Sequence, residues 1–270
     1  MMHAFEVLLA SDFTARSDRA LGRAIQLAEE KQGKLVIAHV LEKGANADEE
    51  DILHRLRADL PEDATDAELI VRAGSAPKTL AAIAAERGSD LIVTGVARYN
   101  SIGDYFLGTA VDHIIRNAER PVLIVRCRPV TPYRRLVVAT DLSDCSHAAL
   151  RAASTLFPDA DITLVHAFHI PYESWIKSAD VKADIQAEAQ EELNAFLAGI
   201  DPAVRTKVDA RLVEGETGTV IVQELARTGA DLLVLGTHGR SGFAYATIGS
   251  QAEGILPVVN ADVLMVRECK

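Results

Sequence analysis

A chain of 270 residues with 49% apolar and 25% charged side chains is long enough for two domains and too apolar to be disordered by composition. A net charge of −11 with no long Lys/Arg run argues against a nucleic-acid binder, and three cysteines (Cys127, Cys145, Cys269) with no CxxC pair argue against a thiolate zinc site and for a reducing compartment. No stretch approaches the roughly 18 apolar residues of a membrane helix, and the run Val7–Ala10 before Asp12 is too short for a signal-peptide core, so a soluble, cytoplasmic protein without a membrane partner is expected.

Along the chain, Glu6–Ala10 reads as a strand, and Ala20, Leu21, Ala24, Ile25 and Ala28 follow it at helical spacing. Further strands are predicted at Lys34–Val40, Glu68–Arg72, Asp90–Gly95 and Pro121–Val125, with an Ala-rich helix over Pro77–Arg87 that has proline near its start. The segment RCRPVTPYRR (126–135) is a short linker, and after it the order repeats: Leu136–Ala139, Asp161–Ala167, Val208–Val213, Asp231–Gly236 and Asp262–Val266. The strand cores are nearly continuous apolar runs, which fits strands covered on both faces. Strands alternating with helices predict an α/β fold.

The two halves also match residue by residue. FEVLLASDFTARSDRALGRA (5–24) aligns with RRLVVATDLSDCSHAALRAA (134–153), pairing Asp12 with Asp141. VRAGSAPKTLAAIAAERGSDLIVTG (71–95) aligns with LVEGETGTVIVQELARTGADLLVLG (212–236), so the second copy carries about a dozen extra residues, expected within Ser174–Ala198. A repeat this long is a domain rather than a solenoid unit. The expected division is 1–128 and 133–270, each a doubly wound, five-stranded parallel sheet of order 3-2-1-4-5, Rossmann-like in architecture.

In such a sheet, ligands bind beyond the carboxyl ends of the strands where the strand order reverses. That puts Asp141, after the first strand of the second copy, near the loop GTHGRSGFAYATIGS (236–250) after its fourth. Glycines at 236, 239, 242 and 249 allow close backbone approach to a ligand, and a short helix after Gly249-Ser250 adds N–H donors for an anion. Gly236, two residues, Gly239, nine residues, then Gly249-Ser250 matches G-x2-G-x9-G-[S/T]. With Asp141, TLVHAF, ADLLVLGTHGRSG and DVLMVR, the second half resembles an ATP-binding universal stress protein domain, and the whole chain resembles a tandem of two.

The resemblance implies that Asp141 and the backbone around Thr140 face the adenosine and that the Ala167 backbone bonds adenine. Gly236, His238, Gly239, Gly249, Ser250 and Gln251 would surround ribose and phosphates, with Mg2+ beside ATP. Plainer accounts stand beside this one: Asp141 as a helix-start residue, His238 as a solvated loop residue, the loop as empty. The first copy reads GVARYNSIGDYFLGT, with Gly95 and Gly108-Thr109 in register but Arg98 at the second glycine. Either that site has lost ATP, or the guanidinium grips an anion, or Arg98 points to solvent.

Enzyme motifs are missing: there is no GxxxxGK[ST], no GxGxxG at either first turn, and GRSGF is not a nucleophile elbow. His166 and His169 lack an evident third metal ligand. Three functions remain: a nucleotide-dependent stress-response regulator acting through unidentified partner proteins, a slow ATPase or phosphoryl- or nucleotidyl-transfer enzyme, or a structural pseudo-dimer with empty pockets. Without an evident general base or a lysine for the γ-phosphate, chemistry would be weak. The closing strands RPVLIVR and ADVLMVR are apolar sheet edges, as which they are expected to pack together as an internal pseudo-dimer, with Val122, Ile124, Val263 and Met265 buried and Asp262 guarding the rim. Whether the whole chain also forms a homodimer is left open.

Overall fold

The computed structural model describes residues 4–14, 17–41, 49–96, 98–99, 105–106, 109–170, 179–237 and 250–267. The chain forms two compact units, Met1–Pro132 with Asp262–Cys269, and Tyr133–Ala261. The first contains β1 (Glu6–Ala10), α1 (Asp18–Glu30), β2 (Lys34–Leu41), α2 (Glu49–Ala58), β3 (Glu68–Ala73), α3 (Ala76–Arg87), β4 (Leu91–Gly95), the two-residue strands β5 (Arg98–Tyr99) and β6 (Tyr105–Phe106), α4 (Thr109–Asn117) and β7 (Val122–Val125). The second contains β8 (Arg135–Ala139), α5 (Asp144–Leu156), β9 (Asp161–Phe168), α6 (Ala179–Ala198), α7 (Pro202–Arg205), β10 (Val208–Glu214), α8 (Thr217–Thr228), β11 (Leu232–Gly236) and α9 (Ser250–Ile255). Strand β12 (Asp262–Val266) belongs with the first unit.

All ten strands expected from the apolar runs are present, with ends shifted by at most one residue. In the first unit β3-β2-β1-β4-β7 run parallel, the 3-2-1-4-5 order. In the second the parallel order is β10-β9-β8-β11, or 3-2-1-4. The central strands are sealed: Val7, Leu8, Leu9, Ile92, Val93, Val137, Val138, Leu232, Leu233 and Val234 have no exposed surface. Helices on both faces exclude water from both sets of alternating side chains, so the apolar runs are unbroken rather than every second residue. In α1, Ala20, Ala24, Leu27 and Ala28 form the inward stripe.

The closing strands pair antiparallel, Val263 with Ile124, Leu264 with Leu123 and Met265 with Val122. All six are at most 1% exposed. Asp262, expected at a solvated rim, is instead fully buried. The chain leaving β7 turns two N–H groups inward, and Asp262 Oδ1 accepts both, from Arg126 at 2.7 Å and Cys127 at 2.8 Å. Arg23, also buried, stands with Nε 3.7 Å from Asp262 Oδ2 and gives Nη1 to the Thr131 carbonyl. A carboxylate with two N–H donors and a guanidinium is tolerated in a dry interior, and removing it strands the guanidinium. Asp262→Ala should lower unfolding stability by about 3 kcal/mol in urea titrations, with Asp262→Asn retaining part of it.

A second buried carboxylate, Glu6, sits at the start of β1. Arg87 holds both its oxygens, at 3.0 and 2.9 Å, and Ser89 donates to it at 2.7 Å. Burial would raise the Glu6 pKa, but the Arg87 and Ser89 hydrogen bonds and the Arg87 charge outweigh it and hold the carboxyl below its ordinary 4.5. A depressed folded-state pKa gives stability that is present above the unfolded value and is lost as pH falls through the folded one. Glu6→Gln should therefore flatten the acid side of the stability–pH curve below about pH 4.5, measured by urea unfolding at stepped pH.

Candidate functional site

Strand β8 lies between β9 and β11, so the strand order reverses there, and β8 and β11 open their carboxyl ends to the same side. Thr140, the first residue past β8, is held three ways. Its N–H donates to the Val165 carbonyl at 2.9 Å, its hydroxyl accepts from Leu142 N–H at 2.9 Å, and its carbonyl lies 2.9 Å from His166 Nδ1. Asp141 follows, with Oδ1 accepting from Ser143 Oγ at 2.5 Å, Ser146 Oγ at 2.7 Å and Ser143 N–H at 3.2 Å. Ser143 is the N-cap of α5, its hydroxyl accepting from Ser146 N–H. Leu142 takes φ of 64°, a left-handed conformation that costs a residue with Cβ about 1–2 kcal/mol and persists only where neighbours enforce it.

The first unit builds the same corner. Ser11 N–H donates to the Ala38 carbonyl, Ser11 Oγ accepts from Phe13 N–H, and the Ser11 carbonyl meets His39 Nδ1 at 2.9 Å. Asp12 Oδ1 accepts from Ser17 Oγ at 2.6 Å and from Thr14 Oγ1 and N–H. These donors outweigh burial and lower its pKa below the usual 3.8, so Asp12 is a fixed anion at neutral pH. Phe13, at φ of 53°, repeats the left-handed residue and packs edge-on against His39. After the fourth strands the two sequences differ. Arg98 and Tyr99 form a two-stranded antiparallel ladder with Phe106 and Tyr105, so the residue at the second glycine position has strand backbone.

A family profile, that of the universal stress proteins, matches residues 5–126 and again 132–267. The chain belongs to the universal stress protein family. It is 27% identical over 165 residues to a family member from Methanocaldococcus jannaschii, covering 59% of this chain and 91% of that one. It is 26% identical over 192 residues to one from Mycobacterium tuberculosis, covering 66% of this chain and 58% of that one, so it spans less than two thirds of the mycobacterial relative. Among solved structures, a functionally unknown protein from Pseudomonas aeruginosa superposes with a TM-score of 0.72 at 21% identity, over 98% of this chain and 92% of that one. A universal stress protein from Archaeoglobus fulgidus superposes at 0.67 and 17% identity, over 97% and 98%. These structures share the family's α/β fold. No described helix is long and apolar enough to cross a membrane.

Of the residues expected to bind, Thr140, Asp141 and Gly236 meet at neighbouring strand ends. Ala167 lies inside β9, one residue before its end, in register with Val213. Ser250 and Gln251 open α9, and His238, Gly239 and Gly249 lie outside the described residues. His39 and His166 have paired roles that the sequence expectations did not include. The available signal was that both occupy the same place in the second strand of their repeat. A cavity of about 430 Å³ lies between α8 and α9, lined among the described residues by Glu216, Thr219, Val222, Ile255 and Val258 with others, and neither Thr140, Asp141 nor Gly236 is among them. Beside it, Pro257 stands where the first copy has Arg116, and α9 ends at Ile255 while α4 continues to Asn117.

The reason for glycine at 236 is packing. A Cβ there would lie 3.0 Å from Cys145 Sγ and 3.3 Å from the Cys145 carbonyl carbon and oxygen, in the first turn of α5. Gly236→Ala must therefore push away the turn that carries Ser143 and Ser146. It should cost roughly 1–3 kcal/mol in unfolding midpoint analysis and shift the amide resonances of residues 141–146.

Proposed function

We propose that the chain is an adenine-nucleotide-dependent regulator that takes ATP with Mg2+ in its second repeat. The observation that carries this reading is the meeting of Asp141 with Gly236 at the carboxyl ends of adjacent strands, where open α/β sheets take their ligands, with the G-x2-G-x9-G-S loop departing from Gly236. In this reading Thr140 and Asp141 line the adenosine wall and the Ala167 backbone meets the base. His238, Gly239, Gly249, Ser250 and Gln251 close around ribose and phosphates together with Gly236. Without a P-loop lysine, backbone N–H groups and the divalent cation carry the phosphate charge.

The first repeat, 1–128, keeps the aspartate corner but has Arg98 in place of the second glycine, with strand backbone there, and we assign it no ATP. The second repeat, 133–270, is the binding half. Regulation through partner proteins is favoured over catalysis because the motif loop supplies phosphate positioning but no evident general base. Calorimetric titration with ATP and Mg2+ should give one strong site per chain. Gly239→Arg should remove it by copying the first repeat, and Gly249→Val should remove it while unfolding stays cooperative. Two equal sites in the wild type, or unchanged affinity in either variant, would overturn the assignment.

A further inference from the structure

We propose that His166 is a positioning residue for nucleotide binding: its Nδ1–H holds the Thr140 carbonyl and so sets the direction in which Asp141 faces the crevice. The proposal rests on the reading that the second repeat takes ATP beside Asp141. A carbonyl has no proton to give, so the 2.9 Å contact between His166 Nδ1 and Thr140 O requires the hydrogen to sit on Nδ1, and in the neutral ring Nε2 is then the lone-pair acceptor. The geometry thus assigns the tautomer.

The bond matters because of where the Thr140 carbonyl stands. Strand β8 ends at Ala139, while β9 runs on to Phe168 beside β10. Past the end of β8, a side chain from β9 accepts the role that a ladder N–H has within the sheet. The peptide unit between Thr140 and Asp141 is then gripped at both ends: its carbonyl by His166, and its N–H, on Asp141, by Ser146 Oγ at 3.2 Å. Fixing that plane fixes the start of Asp141 and leads the chain into the left-handed Leu142. The Thr140 N–H and hydroxyl bonds constrain the same residue but leave the carbonyl end of the plane unheld.

The duplicate corner supports the assignment independently. In the first unit His39 Nδ1 meets the Ser11 carbonyl at the same 2.9 Å, ahead of Asp12 and of a left-handed Phe13. Thr has become Ser and Leu has become Phe between the copies, yet the histidine contact, the hydroxyl contact and the backbone inversion recur together. The three features act as one device for turning an aspartate out of a strand end.

The test uses the full chain. Calorimetric ATP titration with Mg2+ should show His166→Ala weakened about tenfold, the consequence of losing one well-placed hydrogen bond. His166→Asn places an amide N–H where Nδ1–H stood and should recover affinity to within about threefold of wild type. His166→Gln puts its donor one bond farther out and should not. His39→Ala should leave the second-repeat affinity unchanged. Nitrogen-15 spectroscopy of the nucleotide-free wild type should report His166 protonated on Nδ1. An Nε2–H tautomer, or Asn and Gln variants that bind equally, would overturn the role of His166 even if the alanine variant fails to fold. So would an alanine variant that binds like wild type. A wild type that binds no ATP removes the nucleotide reading itself, and this role with it, while wild-type binding paired with any of the first three results removes only this role.

Discussion

Strand β8 has its backbone committed on both edges, to β9 on one side and β11 on the other, and its faces are closed by packed helices. Along such a strand nothing polar is left for a ligand to meet. Only past its carboxyl end does the chain regain free choice of partners, and there buried backbone groups must still be satisfied. The corner at Thr140 and Asp141 solves that problem: a neighbouring strand's carbonyl, a threonine hydroxyl, a histidine and two serines take over from the ladder. The end of β11 answers to the same constraint, because Gly236 closes against the first turn of the helix that this corner begins.

The duplication separates what both strand ends share from what differs between them. Both repeats retain the aspartate, its hydroxyl donors, the histidine and the left-handed residue, since each must pass from a buried strand into a helix without losing backbone hydrogen bonds. The segments after the fourth strand have no such obligation, and there the copies differ. One places Arg98 in a two-residue ladder; the other carries the glycines. The aspartate corner is thus common to both repeats, and the sequence difference between them lies in the segment after the fourth strand.

Among the described residues this acidic chain buries three carboxylates, and each is met by arginine: Asp262 by Arg23, Glu6 by Arg87, and Glu224 by Arg211 and Arg227 at 3.0 and 2.8 Å. Their net contribution to stability is modest because both partners give up water, but each is costly to break from one side. Their geometric effect is larger. Asp262 fastens the start of β12 to the chain leaving β7, and Glu6 gathers Arg87 and Ser89 at the amino end of β1.

The amino-acid pattern alone determined the α/β class, the ten strands of the two repeats and the pairing of Asp12 with Asp141. Unbroken apolar runs, glycine spacing and a long internal repeat are local or periodic signals, and buried parallel strands impose them on the chain directly. The resemblance to the family likewise rests on local signals, Asp141, TLVHAF and the G-x2-G-x9-G-S motif taken together. Four features depended on tertiary structure. Asp262 reads as an edge charge until the N–H groups of Arg126 and Cys127, more than a hundred residues earlier, are brought to it. Gly236 reads only as a loop glycine until Cys145 is found 3.0 Å from where its Cβ would be, which adds a packing reason for glycine there. Arg98 has no readable backbone state until Phe106 pairs with it. His166 reads as one of two nearby histidines without a third metal ligand until the end of β8 leaves the Thr140 carbonyl beside it. For Asp262, Gly236 and His166 the deciding partner is distant in sequence, for Arg98 it is the facing strand of a local ladder, and no periodicity encodes a contact made only when separate elements are packed side by side.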